Sequence, residues 1–163
     1  MGPDDTYELQ KSIWTEADFE QMGWHDVRVH AIAFEPESYR IVFDIDYIFA
    51  WVNPPSGETY FSFWIAPATL VFENIADLKI DLESENVEIL HIDREDAGKP
   101  VNADFIGKMH QWAWTLETTA GEILFKSVGY TQYARQMPRH VRGQSLSLDD
   151  RSGVNFAKVG VAM

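Results

Sequence analysis

Among residues whose types and spacing suggest chemistry, the densest group is His25, Asp26, Arg28, His30, Asp44 and Asp46. His30 with Asp44 and Asp46 would supply one imidazole and two carboxylates, the donor set of an oxygen-rich or facial-triad metal site. They meet only if the chain around 27–33 pairs with that around 41–51 as an antiparallel hairpin. One register sets Val27, Val29, Ala31 and Ala33 opposite Tyr47, Ile45, Phe43 and Ile41, making one face wholly apolar. It also sets Arg28 opposite Asp46 and His30 opposite Asp44, so hydrophobic and charge matching agree. The polar face then reads first as solvated, its two aspartates balanced by Arg28 and His30. Arg28 stands where a cation would, so no metal is expected. His25 and His30 differ in parity and point to opposite sides of a regular strand.

A second set is aromatic. Trp51, Tyr60, Trp64, Trp112, Trp114 and Tyr130 are candidates to line a pocket for a flat or sugar-like ligand, although in a sheet protein most such side chains fill the core. Tyr133, Arg135, Arg139 and Arg142 form a candidate anion clamp. The chain has no phosphate loop, dinucleotide glycine pattern, paired metalloprotease histidines, nucleophile elbow or calcium loop. It has no cysteine, which removes disulfides, thiolate metal sites and cysteine nucleophiles. No catalytic residue is assigned and no cofactor is expected.

The elements that must position these residues follow from periodicity. Thr15 as N-cap with Asp18 at N3 predicts a short helix, stapled by Trp14 on Phe19 and closed by Gly23 at positive φ. From Trp24 the period changes to two. After the first hairpin, Asn53 to Gly57 form a loop. Tyr60 to Ala66 read as a strand apolar on both faces, interrupted by Pro67. Further strands are expected near Thr69–Asn74, Leu78–Leu82 and Val87–Ile92, then an irregular connection over 93–109. A last hairpin follows, with one arm at Gln111–Glu117 and the other at Ile123–Tyr133.

Charge bounds the partners. The chain of 163 residues carries 26 acidic and 13 basic residues, net -13. Residues 126–163 hold six basic and two acidic residues, net +4, leaving seven against twenty-four, net -17, for residues 1–125. Two readings follow: the basic end lies against the acidic body, or, as the favoured one, charge of this size simply keeps the protein soluble and monomeric. Nucleic acid is excluded, because a phosphate backbone requires clustered lysine and arginine. Met1 to Gln10 are polar and acidic, and no run of 18 apolar residues occurs, so no membrane association and a cytoplasmic location are expected.

Trp24, His25, Asp26, Val27, Val29, His30 and Ile32 resemble the aromatic-His-Asp opening, followed by alternating apolar residues, of several uncharacterised bacterial β-rich families, including immunity proteins of polymorphic toxin systems. The resemblance implies a small intracellular binding protein without catalysis, and only His25 and Asp26 carry over from it. The expected fold is a mainly antiparallel β domain of about eight strands, a sandwich or half-open barrel with one short N-terminal helix. Residues 1–163 are expected to form a single domain, with 139–163 an irregular C-terminal tail packed on the sheet. The expected function is binding of a basic protein partner through the acidic surface, as a monomer or homodimer. The alternative is a small-molecule-binding or hydrolytic enzyme built around His30, Asp44 and Asp46.

Overall fold

Period-two alternation with β-branched and aromatic residues favours strands throughout, and the computed structural model is built almost entirely of them. It describes residues 6–163. Met1 to Asp5, the start of the polar N-terminal stretch, lie outside the described residues. The strands are β1 (Ile13–Thr15), β2 (Val27–Glu35), β3 (Arg40–Val52), β4 (Ser62–Glu73), β5 (Ala76–Leu82), β6 (Val87–Asp96), β7 (Trp112–Thr118), β8 (Gly121–Ser127), β9 (Gly129–Ala134) and β10 (Arg139–Val141). Every pairing is antiparallel, and together they form one sheet in the order β1-β9-β4-β3-β2-β6-β7-β8-β5, with β10 beside β4. The expected class, mainly antiparallel β, is found as an open sheet that no hydrogen-bonded ladder closes. No helix among the described residues is long and apolar enough to cross a membrane.

The central strands β3 and β4 are buried on both faces. Their register sets Ile41, Phe43 and Ile45 opposite Phe72, Leu70 and Ala68 on one face, and Val42, Asp44 and Asp46 opposite Val71, Thr69 and Pro67 on the other. The first face carries the aromatic core. Phe72 meets Trp114 at 5.1 Å, Phe125 at 4.7 Å and Tyr130 at 5.5 Å between ring centroids. The sheet therefore curls, bringing β7 and β8 over β4 and β9 through side chains alone.

Several boundaries differ from the sequence expectation. Pro67 does not break the strand: Tyr60–Ala66 and Thr69–Asn74 merge into β4. The Pro67 carbonyl accepts from Arg135 N–H at 2.9 Å, so its missing N–H falls on the same flank, where the chain leaves β9 and has not yet begun β10. A proline in a central strand is tolerated at such a gap. The arm Ile123–Tyr133 is instead two strands. It divides at Gly129 (φ 156), where a Cβ would lie 2.7 Å from Glu16 Cγ. Ser127 Oγ holds the crossing by donating to the carbonyl of Glu73 at 2.6 Å. The connection read as 93–109 begins later, because β6 runs to Asp96. It contains α1 (Ala103–Ile106) and is tied down by paired Asn74 and Asn102 amides at 3.0 and 2.8 Å.

The N-terminal helix is a 3-10 helix, Glu16–Gln21, with the Thr15/Asp18 capping box in place. Trp14 lies against Phe49, while Phe19 lies against Trp24 and Trp114. The residue at positive φ is not Gly23 but Asp26 (φ 66), whose short polar side chain tolerates that region.

Candidate functional site

The expected hairpin register holds through Val29 and shifts at His30, although charge and apolar matching had agreed there too. Arg28 pairs with Asp46 and Val29 with Ile45 as expected. A bulge at His30 then sets Ala31, not His30, opposite Asp44, and Ile32 opposite Phe43. Bulges re-aim side chains, and His30 Nε2 here donates to Asp46 Oδ2 at 2.6 Å. Arg28 does not take the cation position either: it turns to Glu88 on β6 at 3.1 Å.

The polar face is not solvated. Asp44 and Asp46 are both 0% exposed, under the chain that follows β9. That chain first adds β10 beside β4 and then crosses the face through α2 (Leu148–Arg151), capped by Ser147 Oγ on Asp150 N–H. The turn carries Arg151, itself 1% exposed, into the sheet. Its Nη1 and Nη2 donate to both oxygens of Asp44 at 2.8 and 2.7 Å, and its Nε donates to Asp46 Oδ1 at 3.0 Å. Arg135 adds a second guanidinium on Asp44 Oδ1 at 2.8 Å and reaches Thr69 Oγ1 at 2.7 Å. Backbone N–H groups complete the set, from Asn155 to Asp44 at 3.0 Å and from Leu146 to Asp46 at 2.8 Å.

Two carboxylates and two guanidiniums balance, and Asp44 accepts four hydrogen bonds, the capacity of an ionised carboxylate. Burial pushes its pKa up, but the hydrogen bonds from Arg151, Asn155 N–H and Arg135 more than offset this and hold it below the ordinary carboxylate value. A carboxyl with a depressed folded pKa contributes stability that is present above its unfolded pKa, about 3.9, and lost as pH falls through the folded value. Urea unfolding followed by tryptophan fluorescence should show stability falling below about pH 4. Asp44→Asn should make that acid limb shallower.

The remaining sequence candidates divide. His25 stacks on Trp51, and Asp26 accepts from Gln144 at 2.9 Å, which pins the tail to the turn before β2. The six aromatic candidates do not gather around one pocket. Trp114 and Tyr130 are core neighbours 5.7 Å apart and Trp112 flanks them, while Trp64 lies under His140 and Trp51 and Tyr60 are exposed. Of the proposed anion clamp, Arg135 is spent on Asp44 and Arg139 on Asp150. Sequence reasoning missed Arg151. The signal available was Val42-Asp44-Asp46-Ile48, a strand face whose flanking residues are too apolar for solvent.

The geometry defines a class: an open antiparallel sheet whose second face is strapped by its own C-terminal segment through a neutral buried ion group. Compared with known protein families, curated proteins and solved structures, the chain matches none. Among the described residues, no group of three or more His, Asp or Glu side chains is placed to hold a metal ion. Asp44 has no lone pair free for a general base or an incoming cation without displacing a guanidinium, and Asp46 is buried with three of its four positions taken by His30, Leu146 N–H and Arg151.

Proposed function

We propose that this chain is a non-catalytic cytoplasmic binding protein that takes a basic protein partner on the solvent face of β6, β7, β8 and β5, in the manner of an immunity protein. The observation that carries this reading is a row of like charges. Asp81 pairs across strands with Glu122, and Glu122 with Glu117. No lysine or arginine lies within ion-pair distance of these three among the described residues. Like charges opposite one another destabilise a sheet, so the free protein retains a repulsion that a cationic partner would relieve. Gly121 lets β5 approach this close, since a Cβ there would lie 1.9 Å from the carbonyl oxygen of Asp81. The acidic stretch from Asp77 to Asp96 contributes less than its composition implies, because Asp77, Glu88, Asp93 and Asp96 already have basic or histidine partners. That Arg151 and Arg135 occupy Asp44 and Asp46 weighs against the hydrolytic alternative.

The test uses poly-L-lysine as a cationic probe, with association measured by biolayer interferometry from about 0.05 to 0.5 M salt, where the Debye length falls from roughly 14 to 4 Å. Association should slow across that range, and Glu117→Gln with Glu122→Gln should slow it at low salt. The same double variant should melt slightly higher, by roughly a few tenths of a kcal/mol in stability. A control pair of equal charge change, Glu37→Gln with Glu58→Gln, should do neither. Equal slowing by the control pair would show that net charge alone attracts the probe and that this face is not the recognition surface.

A further inference from the structure

Six of the seven arginines, Arg28, Arg40, Arg94, Arg135, Arg139 and Arg151, have a carboxylate within 3.3 Å. In a chain with twice as many acidic as basic residues, an arginine without such a partner is conspicuous. Arg142 is the one among the described residues, and it lines an open cleft of about 700 Å³ with Glu58, Tyr60, Phe61, Ser62 and His140. The strand pairing organises this wall. Val141 lies opposite Phe63 and packs with it on the core, while His140 lies opposite Trp64. The His140 ring stacks on Trp64 at 5.0 Å and 19°, and its Nε2 is 2.6 Å from Ser62 Oγ. At the rim Tyr60 is 84% exposed and Phe61 42%, two aromatic faces left in water beside a guanidinium that has no carboxylate partner among the described residues.

We propose that this cleft binds a small planar organic anion, a carboxylate or phosphate ester on an aromatic body. The Arg142 fork matches two oxygens of such a group. Ser62, its hydroxyl oriented by the stacked His140, supplies a further polar contact, and Tyr60 offers a face for the aromatic body. Glu58 on the same wall repels a second anionic group, so the site selects a singly headed anion over a polyphosphate. The site shares no residue with the acidic face above, and the two stand or fall separately.

Benzoate, phenyl phosphate and the neutral benzamide are titrated into the full chain and followed by two-dimensional amide NMR. At least one anion should shift resonances of Ser62, His140 and Arg142, with benzamide at least tenfold weaker. Which anion binds more tightly separates a carboxylate ligand from a phosphate ester. Arg142→Gln should weaken the anion at least tenfold and Tyr60→Ala severalfold, with unchanged melting points because both side chains are exposed. Arg142→Lys, which keeps the charge and loses the fork, should fall between. Equal binding of benzamide, no binding of either anion, or an unaltered affinity in Arg142→Gln would overturn the proposal.

Discussion

Arg151→Met is expected to destabilise the fold by about 3–5 kcal/mol, the cost of leaving buried charge uncompensated. The guanidinium donates to Asp44, Asp46 and the carbonyls of Ile45 and Gly153. Methionine fills much of the volume and supplies none of those donors. Asp44 would keep Arg135 and Asn155 N–H, and Asp46 would keep His30 and Leu146 N–H, leaving one net negative charge inside the protein. The measurement is urea unfolding at pH 7 with the dependence on denaturant unchanged. Adding Asp46→Asn to Arg151→Met should recover part of the loss, because Asp44 and Arg135 then balance and the damage is electrostatic rather than steric. A loss below about 1 kcal/mol would mean that water reaches the ion group.

Phe72→Ala is expected to cost about 3–5 kcal/mol for a different reason, the removal of a large side chain from a close-packed site. Phe72 is 0% exposed and touches Phe43, Trp114, Phe125 and Tyr130. It thereby joins β3, β4 and β9 to β7 and β8, the two parts of the sheet that no backbone ladder closes. Near-ultraviolet circular dichroism, which reports the packed tryptophans, should weaken along with stability. Leu124→Ala, on the outer face of β8 where the side chain is half-buried, should cost about 1 kcal/mol or less. If the two substitutions cost the same, the curl of the sheet does not depend on this aromatic contact.

How much of this was legible can be seen at His30. Apolar facing and charge pairing agreed along the whole hairpin, at Arg28/Asp46 and Val29/Ile45, where the register is right, and at His30/Asp44, where it is not. Beyond it the chain runs Ala31, Ile32, Ala33 and Phe34, apolar at every position, so sliding by one residue loses no hydrophobic match and the bulge left no trace in the pattern. Pro67 misled for the opposite reason. Its local rule is sound, but whether a missing N–H matters depends on which strand lies on that flank, and β9 ends there.

The amino-acid sequence by itself determined the antiparallel strand class, through period-two alternation, and the capping box at Thr15 and Asp18, because both are local. It also determined the uneven charge, net +4 over residues 126–163 against -17 before them, because charge composition is a sum over residues. The tertiary structure alone decided that Asp44 and Asp46 are interior. Their partners Arg135 and Arg151 lie 91 and 107 residues along the chain from Asp44, and a carboxylate can be buried only where such long-range contacts supply the charge and hydrogen bonds that water otherwise provides.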